Sequence, residues 1–186
     1  MKTWNCPKKT AARNQTLLHP CPNQYWSMAG LCTTPNCEVE QMLQYIEPWK
    51  FHGVEIRPEI YEANVAAWPE LSWHLGDFFQ VMRMYSGFNP SIVNADMLQT
   101  ADTAAEYIAQ IMYLLLPFEV TLVANFVMEH RGIRHMPKYV LTKLASCQPF
   151  RYSMRSGFRL VGCYQYPGTG ERSQTSMGSF IFNKGI

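Results

Sequence analysis

Apolar residues recur with helical spacing along most of this chain, and with alternating spacing near its end. In TPNCEVEQMLQYIEP (34–48), Val39, Met42, Leu43 and Ile46 fall on one face of a 3.6-residue period. Thr34 can cap this segment, Pro35 suits the first helical position, and Glu38 lies in the first turn, where the helix dipole favours an anion. The pattern predicts a helix that Pro48 ends. FHGVEIR (51–57) alternates and reads as a short strand. Pro58 opens a helix to about Trp68. Pro69 opens another, on which Leu71, Leu75, Phe78, Met82 and Tyr85 form a stripe closed by Gly87. Asn89-Pro90 repeats the cap-then-proline signal for a further short helix.

The longest apolar run is YIAQIMYLLLPFEVTLVANFVM (107–128), whose single formal charge is Glu119. Thr103 and Glu106 form a capping box, and Ala104, Ile108, Ile111, Met112 and Leu115 line one stripe. Pro117 breaks the run. Beyond it Leu122, Val123, Phe126 and Val127 face one way, and Thr121, Asn125 and Glu129 the other. The polar stripes predict two packed helices bent at Pro117 rather than a membrane span, which needs about 20 residues facing lipid all round.

Pro137 starts a helix through Leu144. After Pro149 the period drops to two: FRYSM and FRLVGCY alternate about Arg155-Ser156-Gly157, with Gly157 at the left-handed position of a three-residue hairpin loop. In that register Tyr152, Met154, Phe158 and Leu160 share one face, and Arg151 and Arg159 lie on the other. SFIFN (179–183) predicts a third strand. Together these elements predict an α+β chain, mainly α. Its parts are an irregular N-terminal arm (1–33), a compact helical body (34–148), and a basic C-terminal antiparallel hairpin or three-stranded sheet (149–186).

Composition changes this picture in one respect. The net charge of +2 conceals a partition: residues 1–36 carry +4, residues 37–130 carry −10 and residues 131–186 carry +8. A basic flank beside an acidic body suits an acidic partner or phosphate. No apolar leader precedes Pro7, which implies an intracellular, cytoplasmic setting where the six cysteines stay reduced.

Candidate chemistry is thin. Cys6, Cys21, Cys32, Cys37 and His19 supply metal-ligating atoms, but their spacings match no common zinc module, so no metal is expected. Glu129, His130 and His135 cluster in EHRGIRH, yet HExxH is absent, and His74 reads as a structural histidine. GTGERS (168–173) lacks the Lys-Ser/Thr ending of a phosphate-binding loop. Asp77 opens a helix without the following Ser that a carrier site needs. No catalytic residue and no cofactor are assigned. The resulting expectation is a non-catalytic interaction protein, an accessory subunit or inhibitor. It would meet an acidic protein surface through Arg151, Arg155, Arg159, Arg131 and Arg134. The alternatives are nucleic-acid binding through the Arg/aromatic C-terminal strands, and an enzyme with a site near His130 and His135.

Overall fold

In the computed structural model of the chain, residues 23–33, 37–127, 129–130, 133–134, 137–167 and 176–185 are described. The strands are β1 (Tyr25–Met28), β2 (Phe51–Glu55), β3 (Ser72–Leu75), β4 (Ile92–Thr100), β5 (Val120–Val127), β6 (Glu129–His130), β7 (Ile133–Arg134), β8 (Arg159–Pro167) and β9 (Ser176–Lys184). The helices are α1 (Glu38–Met42), α2 (Pro58–Ala67), α3 (Phe78–Met84), α4 (Ala101–Leu114), α5 (Pro137–Ser146) and α6 (Gln148–Arg155). Seven strands form one sheet in the order β3-β2-β1-β4-β5-β9-β8, and β6 and β7 make a small separate hairpin. Strands β1 to β5 pair in parallel, whereas β9 runs antiparallel to both β5 and β8.

This architecture overturns the mainly helical body. A mixed sheet occupies its centre, with helices as crossovers between parallel strands. The run 107–128 shows why. Its first part is helical and ends at Leu114, but its second part is the strand Val120–Val127. VTLVANFV is short, rich in β-branched residues and buried on both sheet faces, so no alternation marks it and a helical spacing fits by accident. Likewise the stripe Leu71 to Tyr85 divides into β3, a turn at Gly76 (φ +147°) and α3, and the segment after Pro90 is β4. Among the described residues no helix is long and apolar enough to cross a membrane.

A second correction concerns 148–155, which is a helix and not a strand. Phe150 and Ser153 are buried three positions apart, and Pro149 sits in its first turn. Gly157 does take positive φ (+108°), but as the residue that ends α6: the Gly157 N–H donates to the Met154 carbonyl and the Phe158 N–H to that of Ser153. The short strand at 51–55, the helices from Pro58 and Pro137, and a strand containing SFIFN agree with the sequence pattern.

The two sheet faces differ. One presents Trp26, Val54, Val93, Ala95, Leu122, Ala124, Phe126, Phe180 and Phe182 to α3, α4, α5 and α6, forming the main core. Against the other face, α1 and its flanks bury Cys37, Val39, Met42 and Ile46 over Tyr25, Phe51 and Ile92. Further along that second face the central strands turn polar side chains inward.

Candidate site at the carboxyl edge of the sheet

In an open parallel sheet, ligands collect beyond the carboxyl ends of the strands, where the strand order reverses. Here that point lies between β1 and β4: the chain moves outward from β1 to β2 and β3, then returns to β4 on the other side. Carboxylates stand at or near this edge on both sides of β1, although only β2 ends on one and Asp96 lies midway along β4. Glu55 closes β2, Asp77 follows β3 after one glycine, and Asp96 lies opposite Asn125 of β5.

The loop after β1 contains Gly30 (φ +55°), where an added Cβ would meet open space. The buried Asn64 of α2 holds this loop from below. Its Nδ2 donates to the Gly30 carbonyl at 2.7 Å, and its Oδ1 accepts from the Cys32 N–H at 2.9 Å. Trp68 Nε1 donates to the Cys32 carbonyl at 2.7 Å. Cys32 and Cys37 flank the remainder of the loop as buried free thiols. Protonated, Cys37 donates to the Cys32 carbonyl at 3.2 Å. The hydrogen bond from the Cys32 thiol lowers Cys37 to about 6, opposed by burial and helped by the N–H groups of Glu40 and Val39; the same bond pushes Cys32 up.

Glu55 is buried and held by its own downstream chain. Its Oε1 accepts from the N–H groups of Ile56 and Arg57 and from Arg57 Nε, and its Oε2 pairs with Arg57 Nη2 at 3.0 Å. Burial would raise this carboxyl, but the Arg57 donors outweigh it and hold it below the usual range. Asp77 caps α3 by accepting from the Gln80 N–H at 3.0 Å, and accepts from the Tyr107 hydroxyl at 3.2 Å. Burial, then the Asp77 charge, push Tyr107 up to about 12, so it remains a donor.

Beneath the reversal point runs a buried polar chain. Glu38 Oε1, at the start of α1, accepts from the Tyr25 hydroxyl (2.6 Å), the Ser27 hydroxyl (2.7 Å) and Asn94 Nδ2 (2.7 Å). Asn94 Oδ1 accepts from Asn125 Nδ2 at 2.9 Å, and the Ser179 hydroxyl donates to Asn125 Oδ1. Four strands, β1, β4, β5 and β9, are thereby joined side chain to side chain. Glu38 also places a carboxylate at the helix start, where a dinucleotide-binding fold seats its pyrophosphate.

The residues expected from sequence lie elsewhere. Arg151 and Arg155 are exposed on α6. Arg159 opens β8 opposite Asn183, which pairs with Thr121 at the amino end of β5, so it sits at the sheet edge remote from Glu55, Asp77 and Asp96. Arg134 and His130 belong to the β6–β7 hairpin that follows the carboxyl end of β5. Arg131, His135, Cys6, Cys21, His19 and the loop 168–173 lie outside the described residues. His74 Nε2 lies 3.1 Å from His52 Nδ1; both rings stack on Trp26 and meet Tyr85 edge-on. That is a structural role. The acids near this edge were missed, although HGVE, HLGD and VNAD each close a short run on a carboxylate.

No family model matches the chain, and no curated protein matches it either. Solved structures do. Trm5b from Pyrococcus abyssi aligns over 100% of this chain at 11% identity with a TM-score of 0.59; the chain spans 51% of that protein, about half its length. A TehB-like SAM-dependent methyltransferase from Corynebacterium glutamicum aligns over 94% of this chain and 86% of its own, at 12% identity and TM-score 0.54. The [4+2]-cyclase SpnF aligns over 100% and 87%, at 8% identity and TM-score 0.57. The chain therefore has a Rossmann-like methyltransferase fold. This finding overturns the non-catalytic, helical docking protein. The helical body is absent, and the fold in its place is one shared with enzymes.

Proposed function

We propose that the chain is an S-adenosylmethionine-dependent methyltransferase with its site at the carboxyl edge between β1 and β4. The observation that carries this reading is the charge of that edge. Glu55 at the end of β2, Asp77 just after β3 and Asp96 midway along β4, level with the end of β1, bring negative charge to this region, and Glu38 occupies the helix start below. Such an edge disfavours a pyrophosphate, and the loop after β1 has a single glycine among its described residues where a dinucleotide cradle needs several. It favours a cofactor with positive charge and free ribose hydroxyls. The residues present fit that group: Gly30 leaves room for close approach, and Glu55 Oε2, which accepts from Arg57 Nη2, retains acceptor capacity.

When bound, S-adenosylmethionine supplies an electrophilic methyl group on a sulfonium. The chain's own contribution is placement. Asn64 and Trp68 fix the loop that would line the cofactor, Glu55 would accept from the ribose, and Asp96 stands next to the position an acceptor would take. A setting in which Cys32 and Cys37 remain thiols accords with a cytoplasmic location.

Calorimetric titration tests the reading. S-adenosylmethionine and S-adenosylhomocysteine are expected to bind and NAD to give no heat. Glu55→Ala is expected to weaken binding about tenfold or more, the loss of a charge-assisted hydrogen bond. Binding of NAD in preference to either would refute the assignment.

A further inference from the structure

The charge partition of the sequence becomes spatial in the fold. The β3-β2-β1 half, with α1 and α2, carries Glu40, Glu47, Glu59, Glu62 and Glu70 on its exposed surface. At the other half, residues 137–167 carry Lys138, Lys143, Arg151, Arg155 and Arg159, all exposed, and no carboxylate. Within α6, Arg151, Tyr152 and Arg155 share a face through their three- and four-residue spacing. Tyr152 is 55% exposed. Its ring lies 5.9 Å from that of Tyr113, which ends α4 and is 57% exposed. On α5, Lys143 lies over the exposed Tyr139 ring at 5.5 Å. Three exposed rings on a face that carries cations are a poor surface for water and a good one for flat, uncharged bases joined by phosphates.

We propose that this face, along α5 and α6, docks single-stranded nucleic acid, and that such a strand is the substrate. The docking stands on the charge and the rings; the word substrate rests on the methyl-transfer reading. Helix α5 follows the β6–β7 hairpin, which comes after the carboxyl end of β5, and α6 ends where β8 begins, towards the amino end of β5. A strand lying along these helices would run across the sheet from its carboxyl towards its amino edge. Exposed tyrosines select unpaired bases, because a duplex keeps its base faces stacked internally. An acidic protein surface would use the cations and leave the rings idle.

The test is fluorescence anisotropy of a labelled oligouridylate with the full chain, alongside a duplex of matched charge, polyglutamate and phosphatidylserine vesicles. The oligouridylate is expected to bind most tightly, and less so as salt rises from about 50 to 200 mM. Tyr152→Ala should weaken binding at least about fivefold, the lower end for losing one stacked base, and Tyr152→Trp should restore it. Arg151→Glu/Arg155→Glu should lower affinity and flatten the salt dependence. These side chains are exposed, so the variants should fold. The proposal is overturned if Tyr152→Ala binds like the parent, or if the duplex, polyglutamate or the vesicles match the oligouridylate. Titrating S-adenosylmethionine into the same samples separates the two readings. Cofactor binding without oligouridylate binding refutes the docking alone, and the reverse refutes methyl transfer while docking stands.

Discussion

Towards the carboxyl ends of the central strands, beyond the apolar residues Tyr25, Ile92, Val123 and Ile181, the two sheet faces are built on opposite chemistry. Towards α4, α5 and α6, β1, β4, β5 and β9 present Trp26, Val93, Ala95, Leu122, Ala124, Phe180 and Phe182, all buried. Towards the other side the same strands present Ser27, Asn94, Asn125 and Ser179, equally buried and bonded to one another and to Glu38. The apolar face gains stability from area removed from water and tolerates small shifts. The polar face gains little net energy per bond but fixes strand register and the place of α1, because each group left unmatched costs the full desolvation penalty. One face supplies stability; the other holds the reversal point in a single geometry.

The sharpest break of this comparison is on the apolar side. Ile111→Asp, at a position fully buried in α4, should destabilise by about 4 kcal/mol or more, and chemical denaturation should show it unfolded or nearly so. Glu38→Ala should follow at about 3 kcal/mol, since the Tyr25 and Ser27 hydroxyls and the Asn94 amide all lose the shared Glu38 oxygen. A stable Glu38→Ala protein would mean that the polar face is not a connected unit. Gly53→Ala should cost about 1–3 kcal/mol, because an added Cβ would clash with the edge of the Trp73 ring that covers Gly53. A double-mutant cycle on Asn94→Ala and Asn125→Ala should return a coupling of about 0.5–3 kcal/mol, whereas Leu122→Ala with Asn125→Ala should be close to additive.

A further effect is that of pH. His52 is lowered to about 4, first by burial and then by the His74 charge, and His74 is lowered by burial. Unfolded, both imidazoles would take a proton near the ordinary value of 6.5. The unfolded chain therefore binds more protons than the folded one below that value. The contribution of this pair is full above about 6.5 and is lost as pH falls towards about 4. Thermal melts across that window should show the decline, and His52→Phe should make it shallower.

What the sequence revealed follows from which elements carry an unambiguous signal. Pro58 and Pro137 mark true helix starts, because proline at the first turn loses no hydrogen bond. Phe51–Glu55 and the strand containing SFIFN were visible from short β-rich runs. Val120–Val127 was hidden because a strand buried on both faces has no alternation, and 148–155 because Phe150, Tyr152 and Met154 fit a period of two as well as a helical turn. The candidate site was hidden more deeply. Glu55, Asp77 and Asp96 are far apart in sequence and come to one side of the sheet only when β2, β3 and β4 run parallel around β1. The charge partition was legible and survives, as opposite halves of a sheet rather than a basic tail on an acidic body.

Strand β9 also bears on the order in which the molecule can be made. It follows β8 in the chain but sits between β8 and β5. As the polypeptide leaves the ribosome, β5 is complete at Val127, yet the strand that covers its open edge starts only at Ser176. Until then β5 exposes an unpaired row of backbone donors and acceptors, and β8 waits with no neighbour. Only β9, pairing with β5 on one side and β8 on the other, closes that edge.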